Sequence, residues 1–128
     1  NWYGFDDAIF SAGRLLQLLS QTTASADACF AKYPVTVTTP EIKIQTSEDH
    51  KFAVMQQLAQ VGDFGSGAIT QIDGIRVDFD NGWGLIRPSN TSPVLSLRFE
   101  ADTEADLQQI QTLFQTQLQR VDSSLAFL

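Results

Sequence analysis

Residues 87–93 read RPSNTSP, and the first five of them bring together a guanidinium, two hydroxyls and a carboxamide. The guanidinium of Arg87 offers a rigid fork of donors that matches phosphate oxygens. Ser89, Asn90 and Thr91 can each add a side-chain donor, and a turn here would direct backbone N–H groups into the same concavity. The prolines fix φ near both ends, so less chain entropy is lost when the loop closes on an anion. These residues therefore indicate a phosphate-binding loop; the alternative is a plain turn, because Pro, Ser and Asn are ordinary turn residues.

The elements that must position this loop are strands of a meander. Residues 83–87 run into the loop, and residues 94–101 leave it with alternating apolar and polar side chains. An Asp-Gly pair at 73–74 and an Asn-Gly pair at 81–82 are hairpin signals. The alternation predicts strands at 41–46, 69–72, 75–79, 83–87 and 94–101.

Helical spacing of apolar residues predicts three further elements. The first helix spans residues 5–20, the second spans 48–61 after a cap at Thr46 or Ser47, and the last follows a cap at Thr103. The inner stripes are predicted to be Phe52, Met55, Leu58 and Ala59 in the second helix, and Leu107, Ile110, Phe114, Leu118 and Val121 in the last. Residues 122–128 lack a pattern, and we expect them to be loosely held.

The order of these elements predicts an α+β fold. A strand, a helix, three or four strands and a helix favour an antiparallel four- to five-stranded sheet with two helices on one face. An N-terminal helix precedes this layer. We place the boundary between the two parts at Tyr33 and Pro34, which gives segments 1–33 and 34–128.

Composition bounds the class of protein. The chain has 128 residues, 43% of them hydrophobic and 18% charged, as in one globular domain. Its net charge of −7 argues against nucleic-acid and membrane partners, because both favour a basic surface. No signal peptide or membrane-spanning run is visible, and one cysteine cannot form an internal disulfide, so we expect a cytoplasmic protein. Because the chain begins at Asn1 rather than methionine, we expect it to be a piece of a longer protein.

The single histidine and the single cysteine do not indicate a metal site or a reactive thiol. His50 falls in the first turn of the second helix, and without another His or Cys nearby we expect a solvated side chain rather than a metal ligand. No His and no cluster of positive charges surrounds Cys29 in the sequence, so we expect an inert, partly buried thiol.

Several motifs occur in the order found in one enzyme family. The loop at 87–93 and the strand at 94–101, VLSLRFEA, resemble the R-x-S-[NG]-T-x-P signature of the α-D-phosphohexomutases and the apolar strand ending in Glu-Ala that follows it. The runs DGIRV at 73–77, GWGL at 82–85 and ADTE at 101–104 are similar to the pattern of the bacterial phosphomannomutase/phosphoglucomutase branch.

This resemblance implies a fold and an activity. The enzymes of the family interconvert hexose 1-phosphate and hexose 6-phosphate through a bisphosphorylated sugar. Residues 34–128 resemble the fourth, C-terminal domain, whose fold is similar to that of the TATA-binding protein. Residues 1–33 resemble the last helix of the third domain and the linker after it.

The resemblance also assigns a role to the loop. Arg87, Ser89, Asn90 and Thr91 are implied to bind the non-reacting phosphate of a phosphosugar such as mannose or glucose 1- or 6-phosphate. The phosphoserine donor and the Mg²⁺ loop belong to the missing N-terminal domains, which would be partners of this segment. No catalytic residue or metal ligand is expected here, so the segment should be inactive alone.

Two alternatives stay open. A related mutase such as a phosphoglucosamine mutase would carry the same loop, usually with Gly at the position of Asn90. A non-catalytic module that binds a protein partner would use residues 87–93 only as a structural turn.

Overall fold

The structure is a computed structural model that describes residues 3–128. The chain forms two compact units, one ending at Val35 and the other spanning Thr36–Leu128. The first contains helices α1 (Ala8–Ser20) and α2 (Ala26–Phe30). Helix α1 begins later than predicted because Asp7 is its N-cap: Asp7 is extended, and its carboxylate accepts a hydrogen bond from Phe10 N at 2.8 Å. No residue of α1 is buried.

The second unit is an antiparallel sheet covered on one face by two helices. Its strands are β1 (Val37–Thr38), β2 (Ile42–Gln45), β3 (Ala68–Thr70), β4 (Ile75–Phe79), β5 (Gly82–Pro88) and β6 (Val94–Ala101). The helices are α3 (Glu48–Val61) and α4 (Glu104–Val121). The α+β class is confirmed, but the sheet has six strands rather than four or five.

The additional strand is β1, which shares an edge of β6 with β2. The sheet order is β1-β6-β5-β4-β3, and β2 pairs with the other half of β6. Val37 pairs with Ala101 near the end of β6, whereas Gln45 pairs with Val94 at its start. Two residues are too few for a period-2 pattern to be recognised in the sequence.

The core lies between the sheet and its two helices. Ile75, Val77, Ile86, Leu97 and Phe99 of the sheet are at most 2% exposed. In α4 the ring of Phe114 packs against those of Phe64 and Phe99 at centroid distances of 4.9 and 5.2 Å. Of the stripe predicted for α4, Leu107, Ile110, Phe114 and Leu118 are buried, and Val121 is partly buried.

The inner face of α3 differs from the prediction. Met55 and Leu58 are buried as expected, but Phe52 is 54% exposed and Ala59 is exposed. Lys51 and Val54 are buried in their place. The helix is therefore rotated relative to the apolar stripe, because a lysine has partners on the inner side.

The prediction of a loose C-terminal tail is wrong. Leu125 is 4% exposed, and its carbonyl accepts a hydrogen bond from Gln115 Nε2 at 2.9 Å. Phe127 N donates to Gln115 Oε1 at 2.8 Å, and the Phe127 ring stacks on Phe99. The side-chain amide of Gln115 thus holds the tail through both its N–H donor and its carbonyl acceptor. None of the helices among residues 3–128 has the length and hydropathy to cross a membrane.

Candidate phosphate-binding site

The loop of residues 89–93 connects β5 and β6 at one end of the sheet. Its ends are joined by a hydrogen bond from Ser89 N to Val94 O at 3.0 Å. Val94 N donates to Ser92 O at 2.8 Å, and the Ser89 hydroxyl accepts a bond from Thr91 N at 3.4 Å. The loop is thus closed by its own backbone and fixed to two paired strands.

All four predicted site residues line one concavity of about 310 Å³, with Arg87 in β5 and Ser89, Asn90 and Thr91 in the loop. The rest of its lining comes from both sides of the loop and comprises Glu41, Lys43, Pro88, Ser92, Val94 and Ser96. A guanidinium, an ammonium, hydroxyls and an amide therefore converge on one space, which is the donor set that a phosphate group needs.

The Arg87 side chain is oriented by the loop between β3 and β4. Its Nη1 donates to Asp73 Oδ2 at 2.7 Å, and the side chain is 46% exposed. The next residue, Gly74, has φ +90 and lies so close that a Cβ there would come within 2.6 Å of Arg87 Cβ. The Asp-Gly pair that predicted a hairpin thus also supports Arg87 from behind. The remaining guanidinium donors stay available to an anion.

Strand register brings a second cation to the site. Ser96 of β6 pairs with Lys43 of β2 on one side and with Arg87 of β5 on the other. The three side chains therefore lie in a row on the sheet face opposite the helices, because directly paired residues share a face. Lys43 and Arg87 flank Ser96, one strand spacing away on each side.

Glu41 brings a negative charge to the same row. It accepts a hydrogen bond from the Ser96 hydroxyl at 2.6 Å and pairs with Lys43 Nζ at 3.3 Å. The Ser96 hydroxyl, helped by Lys43, lowers the pKa of the Glu41 carboxyl, so Glu41 is ionised at neutral pH. It thereby orients the Ser96 hydroxyl and the Lys43 ammonium beside the loop.

A further lysine lies under the loop on the helix side. Lys51 of α3 is 1% exposed, and its Nζ donates to the carbonyls of Ser89 and Ser92 at 2.7 and 3.0 Å. It does not line the concavity. The loop is therefore held from below by Lys51 and faces the concavity with its other side.

The open face of the sheet is rich in cations. Lys43, Arg76, Arg87 and Arg98, four of the eight Lys and Arg residues of the chain, lie on it. Arg76 pairs with Asp78 at 2.6 Å and lies over the Trp83 ring at 4.1 Å. Arg98 is exposed and shares a second depression with Arg87. Half of the basic residues of this acidic protein thus lie on the face that carries the loop.

A larger depression elsewhere does not have these properties. It is open, has a volume of about 770 Å³, and runs along α4, lined mainly by Gln, Thr and other uncharged residues. Asp63 and Arg120 are its charged members. We favour the smaller concavity at the loop because a cluster of donors, rather than volume, recognises an anion.

The single histidine, His50, and the single cysteine, Cys29, lie away from the loop in the sequence and have no metal-binding group around them among the described residues. His50 is partly exposed as expected, but its Nε2 lies 2.7 Å from Asp122 Oδ2, so it links α3 to the end of α4. Cys29 is a free, partly buried thiol. Within residues 3–128 no three His, Cys, Asp or Glu side chains are grouped to hold a metal ion.

The sequence did not identify Glu41, Lys43, Lys51 or Asp73 as neighbours of the loop. Lys43 and Glu41 reach it through the pairing of β2 with β6, which is a tertiary register. Asp73 was used only as a turn signal. For Lys51 the sequence does contain a local signal. Lys51 lies at helical spacing from Met55 and Leu58, so a charged residue shares the predicted inner face of the helix.

Comparison with known proteins decides the family. The family described as "Phosphoglucomutase/phosphomannomutase, C-terminal domain" matches residues 41–116, which include the whole loop and most of the sheet. This chain belongs to that family. The prediction from its loop and strand motifs is thereby confirmed.

Relatives of the family agree along nearly the whole chain. A phosphomannomutase/phosphoglucomutase of Pseudomonas aeruginosa is 53% identical over 124 residues, which cover 97% of this chain and 27% of the relative. A phosphoglucomutase of Neisseria gonorrhoeae is 42% identical and covers 88% of this chain and 25% of its own length. The crystal structure of a phosphoglucomutase/phosphomannomutase family protein from Burkholderia thailandensis superposes with a TM-score of 0.82 at 35% identity, covering 98% and 26% of the two chains. The chain thus spans about a quarter of the length of these relatives.

Proposed function

We propose that this chain is the C-terminal part of a phosphomannomutase/phosphoglucomutase and that its loop binds the non-reacting phosphate of the sugar. Residues 34–128 are the C-terminal domain, and residues 1–33 are the last helix and linker of the preceding domain. The observation that carries the proposal is the common concavity of Arg87, Ser89, Asn90 and Thr91.

The loop residues divide the task by their chemistry. Arg87 neutralises and orients the phosphate, with Asp73 fixing its guanidinium. The hydroxyls of Ser89 and Thr91 and the amide of Asn90 donate hydrogen bonds to the remaining oxygens. Binding energy at this remote phosphate aligns the reacting end of the sugar. Because either phosphate of a bisphosphorylated hexose can enter, the same loop serves the intermediate after it reorients.

The chemistry of phosphoryl transfer lies in the rest of the enzyme. The phosphoserine donor and the Mg²⁺ that would stabilise the developing charge belong to the preceding domains. The described residues do not fit a Mg²⁺ site, since they contain no group of three suitable ligands. The segment alone should therefore have no mutase activity. The enzyme would act in the cytoplasm on mannose or glucose phosphates.

An NMR titration of the 128-residue chain with glucose 1-phosphate and mannose 1-phosphate tests the loop. We expect weak, saturable shifts confined to residues 87–91, because contacts from the other domains are missing. Arg87→Ala should abolish them. Arg120→Ala is the matched control: it removes the same charge on α4, away from the loop, and should leave the titration unchanged.

The full-length enzyme provides the decisive comparison. In the full-length enzyme, Arg87→Ala should raise KM for hexose 1-phosphate at least about tenfold, because it removes a charge-assisted hydrogen bond to the phosphate. An unchanged KM and kcat would refute the proposed role. Mutase turnover by the 128-residue chain, supplied with a bisphosphate activator, would refute the inactivity of the segment.

A further inference from the structure

Lys51 is a buried charged residue that the phosphate contacts described above do not use. It lies on the inner face of α3 and is 1% exposed. A buried ammonium is tolerated only when its donors are satisfied. Its Nζ lies 2.7 Å from Ser89 O, 3.0 Å from Ser92 O and 2.7 Å from Glu48 Oε2. These three acceptors use all three donors of the ammonium.

Two of the acceptors are backbone carbonyls of the phosphate loop. In a planar trans peptide the C=O and the following N–H point in opposite directions. The Ser89 carbonyl points down to Lys51, so the N–H of Asn90 points away from it, and Asn90 lines the concavity. Within residues 3–128 this N–H donates to no backbone or side-chain acceptor. The orientation of one peptide thus presents a free donor where an anion would bind.

The packing around Lys51 keeps it in this position. The neighbouring Phe52 ring lies 5.1 Å from Nζ, which gives a reason for an exposed phenylalanine where the inner stripe was predicted. Glu48, one turn earlier in α3, is 63% exposed and supplies the third acceptor. The ammonium is therefore directed at the loop by its own helix.

We propose that Lys51 is a positioning residue of the phosphate loop: it binds two loop carbonyls from below and thereby presents the Asn90 N–H to the substrate phosphate. This role rests on the proposed function of the loop. Lys51 does not touch the phosphate itself. An apolar residue of similar length would fill the same space, but it would leave the Ser89 carbonyl without a buried donor and the Ser92 carbonyl with only the Val94 N–H. The peptide between Ser89 and Asn90 would then be free to turn.

The test compares Lys51→Met with two control variants of the 128-residue chain. Val54→Ala removes buried volume one turn further along the same face of α3, so it lowers stability while keeping the Lys51 ammonium and the hydrogen bonds it makes to the loop. Glu48→Gln removes the charge of the third partner but keeps both loop carbonyls bonded. Two quantities are measured by NMR at a temperature where every variant is folded: the Kd for glucose 1-phosphate, and the amide exchange rates of Ser89 and Val94.

We expect Lys51→Met to raise the Kd about tenfold, as the loss of one hydrogen bond to a charged oxygen would do. It should also speed exchange of both amides, which close the loop. Val54→Ala and Glu48→Gln should change the Kd less than about twofold. If Lys51→Met does not fold, Lys51→Gln, which is shorter and uncharged, is measured in the same way.

The outcomes separate the two proposals. If the native chain binds and the folded Lys51 variant binds equally well, the positioning role is overturned. The same conclusion follows if Val54→Ala weakens binding as much as Lys51→Met. If the native chain does not bind glucose 1-phosphate, the proposed function fails in this segment, and amide exchange still decides whether Lys51 orders the loop: faster exchange supports that role and unchanged exchange overturns it.

Discussion

Alanine at position 74 should be much more harmful than alanine at a comparable glycine. Gly74 has φ +90, and an added Cβ would lie 2.3 Å from Ile86 O, 2.6 Å from Arg87 Cβ and 2.8 Å from Arg87 Cα. These atoms are backbone or attached to it, so no side-chain rotation relieves the contact. Gly65 also has a positive φ, +61, but nothing lies within 4 Å of the Cβ position. Comparing Gly74→Ala with Gly65→Ala therefore separates the cost of backbone strain from the cost of steric overlap.

The expected magnitudes follow from these two terms. A non-glycine residue in this backbone region costs about 1 kcal/mol, so Gly65→Ala should lose about that much stability. Gly74→Ala adds overlap with fixed atoms, about 2 kcal/mol more, for a total of about 3 kcal/mol. For a chain of this size the difference lowers the melting temperature by roughly 8 °C.

Thermal and urea unfolding followed by circular dichroism would measure the difference in stability. Because the Gly74 overlap is with Arg87, this variant should also bind glucose 1-phosphate more weakly, whereas Gly65→Ala should bind normally. Equal melting temperatures for the two variants would refute the close packing of the Asp73 turn against β5. A Gly74→Ala variant with native affinity would refute its support of Arg87.

Two further predictions concern the C-terminal end of the chain. Gln115→Leu should lower the free energy of unfolding by about 2 kcal/mol, because one buried and one partly buried backbone group of the tail lose their partners. Limited proteolysis should then cleave residues 122–128; a tail as resistant as the native one would contradict this. Hydrogen bonds from the Ser124 hydroxyl and N–H, with a smaller contribution from His50, lower the pKa of Asp122 from 3.8 to about 2. A lowered folded-state pKa stabilises the fold above pH 3.8, and this contribution is lost as pH falls through 2. Urea midpoints of the native chain and of Asp122→Asn should therefore differ above pH 4 and converge toward pH 2; a constant difference would contradict the linkage.

Local patterns predicted most of the fold because each strand and helix carries its own period. Helix α3 has the predicted bounds, with Ser47 as its N-cap, and the strands around the loop lie where the alternation of apolar and polar residues predicted them. The rotation of α3 could not be predicted. Its apolar residues fit two neighbouring faces, and the carbonyls that bind Lys51 come from a loop 38 residues away.

The site was predictable only where it is contiguous. Arg87 and the three loop residues lie within five positions, so residue type and spacing sufficed to group them. Lys43 joins them because β2 pairs with β6, and Glu41 joins them through a hydrogen bond from Ser96, 55 residues away. No local pattern encodes either contact. The same reason explains the C-terminal tail: its order depends on Gln115, whose polar side chain gave no sign of being buried.

The concavity is formed by one local element, the hairpin of β5 and β6, and one distant element, β2, and this difference affects the folding kinetics. The hairpin of β5 and β6 closes through a short loop, whereas the pairing of β2 with β6 must close a segment about tenfold longer, at roughly 2 kcal/mol more in chain entropy. A partly folded chain can therefore form the loop before Lys43 and Lys51 reach it. Phosphate would then bind chiefly after the transition state, so a phosphosugar should slow unfolding while leaving the folding rate almost unchanged.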